Sequence, residues 1–208
     1  MNNGLIISLT KNKPTETTQI KLRVFVSSNT GSVRTVNEDN YYADELGIRD
    51  TESVEKKTEF ELVGRRTFGV FDGMGGASLG DVASRISAEV MSDFASKISA
   101  AAHKELSASI NECMSAANNK VCIMAREMKC GTSGSTAAVV SLDRYYTGIY
   151  NIGDSRVYSF KNGILKCITE DQTLAVKKLK ANIYTEEEAL TSPDAHKLTS
   201  FIGIDNRE

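Results

Sequence analysis

The 208-residue sequence predicts a fold that contains both strands and helices, because strand and helix periodicities occupy separate stretches of the chain. Short apolar or alternating runs, typical of strands, lie at residues 22–27, 60–63 and 68–71. A central region then repeats apolar residues every three or four positions, and strand-like runs return after residue 136. The length favours one domain, over residues 22–208, with residues 1–21 as a polar leader or a loosely attached strand.

The central region predicts two amphipathic helices, since each carries one apolar stripe. Lys129 and Gly131 provide the usual stop signals after the second helix. The methionines share the stripe, which indicates core packing. The stripes are Val82, Ile86, Val90, Phe94 and Ile98, then Leu106, Ile110, Met114, Ala117, Val121, Met124 and Met128.

The last third of the chain predicts strands at residues 136–142 and 145–152, followed by a hairpin. Asn162-Gly163 accepts the positive φ angles of a type I′ turn, between strands at 156–160 and 164–169. Residues 185–188, Thr-Glu-Glu-Glu, form a capping box that predicts a short helix. Residues 48–57 are charged and poor in large apolar side chains, which predicts a surface excursion.

Composition and termini exclude several functional classes. Lys plus Arg number 25 against 27 Asp plus Glu, so the chain lacks the basic footprint of a nucleic-acid-binding protein. The first residues have no basic region and no long apolar run, and no stretch approaches the ~20 apolar residues of a membrane helix. The four cysteines form no C-x-x-C pair, which favours reduced, structural thiols and a cytoplasmic location.

Two acidic positions suggest metal chemistry, although each has an ordinary alternative. Asp72 leaves a buried strand into Gly-Met-Gly-Gly, where the Gly73 carbonyl is also accessible, and hard cations bind such oxygens. The alternative is a glycine-rich turn in which Asp72 binds local amides. Glu38 and Asp39 alone are a weaker signal than Asp72, since most Glu-Asp pairs lie on a solvated surface.

Other catalytic schemes have little support in the sequence. Ser133 and Ser135 would need a histidine, and the chain has only His103, in a polar stretch between the helices, and His196. Residues 131–136 lack the lysine of a P-loop.

Four elements in a fixed order carry a specific resemblance. They are R-x-x-x-E-D at Arg34, Glu38 and Asp39, D-G-M-G-G at residues 72–76, G-S-T-A at residues 134–137, and G-D-S-R at residues 153–156. The set resembles the metal-dependent protein serine/threonine phosphatases of the PP2C (PPM) family, in their bacterial form. The similarity continues through residues 169–174, 185–189 and 197–199 and covers about residues 22–204.

The resemblance implies an α+β fold, namely an αββα sandwich in which two antiparallel sheets are flanked by helices. It implies two Mn²⁺ or Mg²⁺ ions bridged by Asp72, with the Gly73 carbonyl on one ion and with Glu38 and Asp39 orienting metal-bound waters. Arg34 would bind the phosphate, and Asp154 would bind a third, weaker metal. The implied reaction is hydrolysis of phosphoserine and phosphothreonine in proteins by a metal-bound hydroxide, without a phosphoenzyme. Its partners would be phosphoproteins and, indirectly, an opposing Ser/Thr kinase.

The sequence departs from the family pattern at two places. Met74 stands where some members have a histidine as general acid, and it cannot donate a proton. The family's two later metal-binding aspartates, in S-D-G and D-N elements, have no counterpart, since Asp205-Asn206 comes too early. We therefore expect that C-terminal strands are missing after a flap-like segment at about 171–196. We also expect that residues 1–208 bind at most one divalent ion tightly with little turnover, and that a bared sheet edge permits dimerisation.

Two other functions stay open at this level. One is a non-catalytic phosphatase-like binding module that lacks the final metal-binding aspartates. The other is metal-dependent hydrolysis of a different phosphoester on the same fold.

Overall fold

The computed structural model describes residues 4–10, 20–75, 79–129 and 131–205. Its strands are β1 (Gly4–Thr10), β2 (Lys21–Ser28), β3 (Asp39–Ala43), β4 (Gly47–Ile48), β5 (Val54–Glu61), β6 (Arg66–Gly75), β7 (Ser133–Ser135), β8 (Ala137–Leu142), β9 (Thr147–Ile152), β10 (Tyr158–Lys161) and β11 (Ile164–Cys167). Its helices are α1 (Leu79–Ala100), α2 (His103–Glu127), α3 (Leu174–Lys180) and α4 (Glu186–Thr191), followed by a 3₁₀ helix at Pro193–His196.

Two antiparallel sheets form the centre of the fold. The smaller has the order β1-β2-β5, and the larger has the order β4-β3-β6-β8-β9, with β7 paired to the far end of β6. Strands β10 and β11 form a two-stranded sheet of their own. The predicted α+β class with antiparallel sheets is confirmed.

The sheets pack face to face because strand β2 alternates strictly. Its buried residues Leu22, Val24 and Val26 meet Tyr41 and Phe68 of the larger sheet in one apolar cluster. Residues between them, such as Arg23, point outward and are exposed. This alternation is what a period of two dictates for a strand with one solvated face.

Helices α1 and α2 cover the opposite face of the larger sheet, as their apolar stripes predict. Phe71 of β6 packs there with Met91, Ile98, Leu106 and Ile110, all of which are almost fully buried. Among the described residues, the outer face of the smaller sheet stays exposed, so a second flanking helix layer is not seen in that part of the chain.

The prediction of a surface excursion at residues 48–57 holds for residues 49–53, which connect β4 to β5, and is wrong for residues 54–57. Strand β5 begins at Val54, and its residues alternate between half-buried and exposed along its whole length. The charged side chains of Glu55, Lys57 and Glu59 occupy the solvated face, and Lys56 and Thr58 lie on the half-buried face, so residues 55–59 carry no apolar periodicity. Strand β5 pairs with β2 in register, for example Lys57 with Phe25.

The glycine motif also differs from its prediction. Residues 72–75 continue strand β6 instead of forming a turn, because Gly73 and Gly75 pair with Ser135 and Ser133 of β7. Gly76 lies outside the described residues.

Several smaller predictions have clear outcomes. The hairpin is confirmed, with φ of 53° at Asn162 and 78° at Gly163, and the Thr185–Glu188 capping box is confirmed at the start of α4. Helix α3, which Thr173 caps, has no counterpart among the predicted elements. Met128 is exposed, which corrects its assignment to the core, whereas Met114 and Met124 are buried.

No helix in the described ranges has the length and apolar content needed to span a bilayer.

Candidate active site

Two aspartates face each other at one end of the gap between the sheets. In the β3–β6 pair, Asp39 lies directly opposite Asp72. Opposed residues in antiparallel strands project to the same face, with their Cβ atoms about 5 Å apart. By alternation this face also carries Tyr41 and Phe68, which belong to the core between the sheets. The two carboxyl groups therefore lie at the end of that core.

The Asp72 carboxyl group is held in an environment that disfavours its negative charge. Its side chain reaches solvent, yet the surrounding protein removes much of its hydration, and this raises the pKa of Asp72 to about 7. The adjacent Asp39 carboxylate raises the pKa further, as does Asp154, while the Arg34 guanidinium lowers it. A cation bound between these carboxylates would relieve their repulsion.

Asp154 is brought to this site by the ends of three neighbouring strands. Thr136 donates its backbone N–H to the Asp72 carbonyl at 2.8 Å, and its hydroxyl accepts the Asp72 N–H at 3.0 Å. The same hydroxyl lies 2.6 Å from that of Ser155, the neighbour of Asp154. Burial raises the pKa of Asp154 above its ordinary value. A hydrogen bond from its own backbone N–H and the charges of Arg156 and His196 oppose this shift and lower the pKa.

The loop before β3 places Arg34 and Glu38 beside the aspartates. The Arg34 guanidinium pairs with the Glu38 carboxylate, and the Glu38 carbonyl accepts the Gly73 N–H at 3.0 Å. Close backbone approach requires glycine here, because a Cβ at Gly73 would lie 2.0 Å from the Gly80 carbonyl oxygen. The start of helix α1 therefore packs directly on the segment that carries Asp72.

The predicted site residues are thus gathered at one end of the sandwich, but they do not form a complete metal cage. Within the described ranges, no three Asp, Glu, His or Cys side chains are grouped closely enough to hold an ion between them. Asp39 and Asp72 fit one side of a cation site, because a hard cation accepts two carboxylates and completes its shell with water. Metal binding by Asp39 and Asp72 stays a prediction, as does ligation by Glu38, Gly73 and Asp154.

Ser133, Ser135 and His103, which other catalytic schemes would require, make contacts that do not form a catalytic triad. The Ser133 hydroxyl donates to the Leu79 carbonyl at 3.1 Å, and both Ser133 and Ser135 are buried. His103 begins helix α2 and binds Asp143 at 2.8 Å.

Asp205, expected only to imitate the last family motif, pairs with Arg126 at 2.8 Å, and Asn206 lies outside the described residues.

A surface groove of about 610 Å³ shares the loop that leads to Arg34. Serine, asparagine and glycine residues form most of its lining, together with one valine and one glutamate. The lining residues are Ser27, Ser28, Asn29, Gly31, Ser32, Ser53, Val54 and Glu55.

The sequence model of protein phosphatase 2C matches residues 58–201 of this chain. Among curated proteins, the serine/threonine phosphatase stp of Listeria monocytogenes is 29% identical over 140 residues, which are 66% of this chain and 56% of that protein. The chain therefore spans little more than half the length of this relative.

Solved structures agree on the fold. The crystal structure of the Mycobacterium tuberculosis serine/threonine phosphatase PstP/Ppp superposes with a TM-score of 0.69 at 24% identity, covering 88% of this chain and 69% of that one. The catalytic domain of PstP in complex with two manganese ions gives a TM-score of 0.62 at 24% identity, covering 81% of this chain and 64% of that one.

Proposed function

Because this chain belongs to the protein phosphatase 2C family, we propose that it serves the Mn²⁺- or Mg²⁺-dependent hydrolysis of phosphoserine and phosphothreonine in proteins. The single observation that carries the proposal is the Asp39–Asp72 pair, opposed across β3 and β6 with Arg34 nearby. The pair offers negative charge for metal ions, and the arginine offers positive charge for a phosphate.

Each residue has a role that follows from its chemistry. A bound divalent cation lowers the pKa of its water towards neutrality, which supplies a nucleophile for the phosphorus atom. Asp72 and Asp39 hold the cation site, and the fork of donors on Arg34 binds phosphate oxygens. Glu38 orients water and fixes Arg34 through their ion pair. Met74 has no proton to donate, so the leaving oxygen takes its proton from water or from another group.

The substrate in this proposal is a phosphoprotein, which implies an opposing Ser/Thr kinase. Support for a polypeptide substrate comes from the groove of about 610 Å³ that shares the Arg34 loop. Comparing turnover of a phosphothreonine peptide with turnover of a small phosphate monoester tests this choice directly.

The proposal is tested by calorimetric titration of Mn²⁺ into the 208-residue chain and into Asp72→Asn, which keeps the shape of the side chain and removes its charge. We expect one tight Mn²⁺ site in the unchanged chain and an affinity at least about 100-fold lower in Asp72→Asn. Losing a direct metal ligand costs more affinity than losing a residue that only supports a ligand. Asp93→Asn is the matched control, because Asp93 lies on α1 in an exposed ion pair with Lys120. Turnover of a phosphothreonine peptide should require Mn²⁺.

Two results would contradict the proposal. One is equal Mn²⁺ affinity in the wild type and Asp72→Asn. The other is peptide turnover that survives a chelator.

A second candidate is a phosphatase-like module that binds phosphoproteins without hydrolysing them. It is favoured by one observation, namely that the described residues form no cluster of three metal-binding side chains. Such a module would bind a phosphothreonine peptide through Arg34 with the same affinity with and without Mn²⁺, and it would release no phosphate.

A further inference from the structure

Asn37 is a buried polar residue that immediately precedes Glu38 and Asp39 in the sequence. Its side chain is 2% exposed, and its Oδ1 accepts the backbone N–H of Asp39 at 3.1 Å. Its Nδ2 donates to the Ser28 hydroxyl and to the Glu52 carbonyl, both at 2.9 Å. The side chain thus bends the chain at Glu38 and ties it to β2 and to the β4–β5 connection.

The β4–β5 connection reaches back to Asn37 with two charged side chains. The Glu52 carboxylate accepts the backbone N–H of Asn37 at 2.9 Å, although 62% of that side chain is exposed. The Arg49 guanidinium, only 9% exposed, donates to the Asn37 carbonyl and to the Thr51 carbonyl, both at 2.9 Å. Both backbone polar groups of Asn37 are therefore held from residues 49–52.

We propose that Glu52 and Arg49 are positioning residues, which hold Asn37 so that Asp39 faces Asp72 in the geometry that binds Mn²⁺ or Mg²⁺. The inference rests on the proposed function for the identity of the ion. It assigns a role at the site to a segment whose sequence indicates only a charged surface.

The physical basis is the cost of leaving the Asn37 backbone without partners. A buried amide that loses its acceptor must find water or move, and either change releases the next residues along the chain. Asp39 is two residues away, and its own N–H depends on the Asn37 side chain. Removing a residue that holds a metal ligand in place without touching the metal typically changes metal affinity 10–100-fold.

The experiment compares three variants of the 208-residue chain by calorimetric titration with Mn²⁺. Glu52→Ala removes the acceptor, and we expect about 10-fold weaker binding. Glu52→Gln removes the charge but keeps an oxygen that accepts the Asn37 N–H, so it should restore most of the affinity. Asp50→Ala removes the same charge from the same connection, where Asp50 is 67% exposed and pairs only peripherally with Lys56 at 3.4 Å. It should stay within about two-fold of the wild type.

Equal weakening in Glu52→Gln and Glu52→Ala would overturn the proposal, because it would show that charge and not positioning is responsible. An unchanged affinity in Glu52→Ala would overturn it as well.

Metal-free hydrogen exchange separates this inference from the proposed function. We expect faster exchange of the peptide that covers residues 36–40 in Glu52→Ala than in the wild type and Asp50→Ala. If the wild-type chain binds no Mn²⁺ but exchange at residues 36–40 is faster in Glu52→Ala, the proposed metal site is contradicted, whereas the positioning role of Glu52 is supported. Equal exchange in the wild type and Glu52→Ala overturns the positioning whatever the metal result.

Discussion

Arg34 shows how a single side chain is prepared for an anion. Its guanidinium is 62% exposed and is anchored through one of its nitrogens to Glu38, so donors remain for a phosphate. The charge lies close enough to Asp72 to lower the pKa of that carboxyl group. An ion pair of this kind restricts the rotamers of a long side chain before the ligand arrives.

Replacing Arg34 by Ala should weaken binding of a phosphothreonine peptide about ten-fold or more, since hydrogen bonds between charged groups are the stronger ones. KM should rise while part of kcat remains. The control is Arg23→Ala, because Arg23 pairs with Glu59 on the outer face of the smaller sheet. An unchanged KM in the Arg34 variant would show that Arg34 does not bind the phosphate.

Asp143 joins the turn between β8 and β9 to the start of β6. Burial by itself would raise its pKa, but hydrogen bonds from the Tyr145 and Tyr146 amides, His103 and Arg65 outweigh this and lower the pKa to about 2. The folded-state pKa is therefore below the ordinary value of 3.8.

A depressed pKa contributes stability above the unfolded-state value, and this stability is lost as the pH falls from about 4 to about 2. We expect Asp143→Asn to reduce the free energy of unfolding by about 2 kcal/mol at neutral pH, from the size of that shift. The difference from the wild type should shrink steadily below pH 4. Urea unfolding at several pH values measures it, and a difference that does not depend on pH would refute the linkage.

At the scale of elements, helix α1 is placed by the contact of two glycines. A Cβ at Gly80 would lie 2.9 Å from both the Gly73 carbonyl carbon and a Glu38 carboxylate oxygen. The helix therefore sits against the end of β6 only because neither position carries a side chain.

This contact reverses the usual effect of replacing a helical glycine. Alanine normally stabilises a helix by up to about 1 kcal/mol relative to glycine. Here we expect Gly80→Ala to destabilise the fold by roughly 1–3 kcal/mol, because the added methyl overpacks the junction. It should also weaken Mn²⁺ binding. Ser96→Ala, at an exposed position of α1, is the control and should change neither quantity appreciably. A stabilised Gly80→Ala protein would contradict the packing argument.

At the scale of the whole molecule, the hairpin gathers several exposed apolar side chains on two short strands. All residues of β10 and β11 are exposed, and the pairs Tyr158–Cys167 and Phe160–Leu165 share one face. Strand edges and apolar faces of this kind promote association.

Dimerisation through a bared sheet edge stays a prediction, and the exposed hairpin offers a second surface for association; sedimentation velocity tests both. We expect a dimer whose fraction rises with concentration, and a smaller fraction for Phe160→Lys, which places a charge on the apolar face. Val33→Lys changes a similarly exposed apolar residue in the loop before β3 and should leave the dimer intact. A 208-residue chain that stays monomeric at all concentrations would contradict the prediction of dimerisation.

The sequence by itself determined the features that depend on near neighbours. The stripes of α1 and α2, the Asn162-Gly163 turn and the Thr185–Glu188 cap were all predictable, because periodicity and local hydrogen bonds are written within a few residues. The four family motifs also identify the candidate site residues from the sequence alone. They carry no information about the contacts that hold those residues in place.

Only the tertiary structure decided which distant residues support one another. Strand β5 has charged residues on its open face, so its existence depends on pairing with β2. The Asp39–Asp72 pair exists because of the β3–β6 register, and Asn37 is held by Glu52, 15 residues further along the chain. No local pattern distinguishes Glu52 from the charged residues around it. Long-range pairing is a property of the folded chain, since partners far apart in sequence meet only when the whole sheet forms.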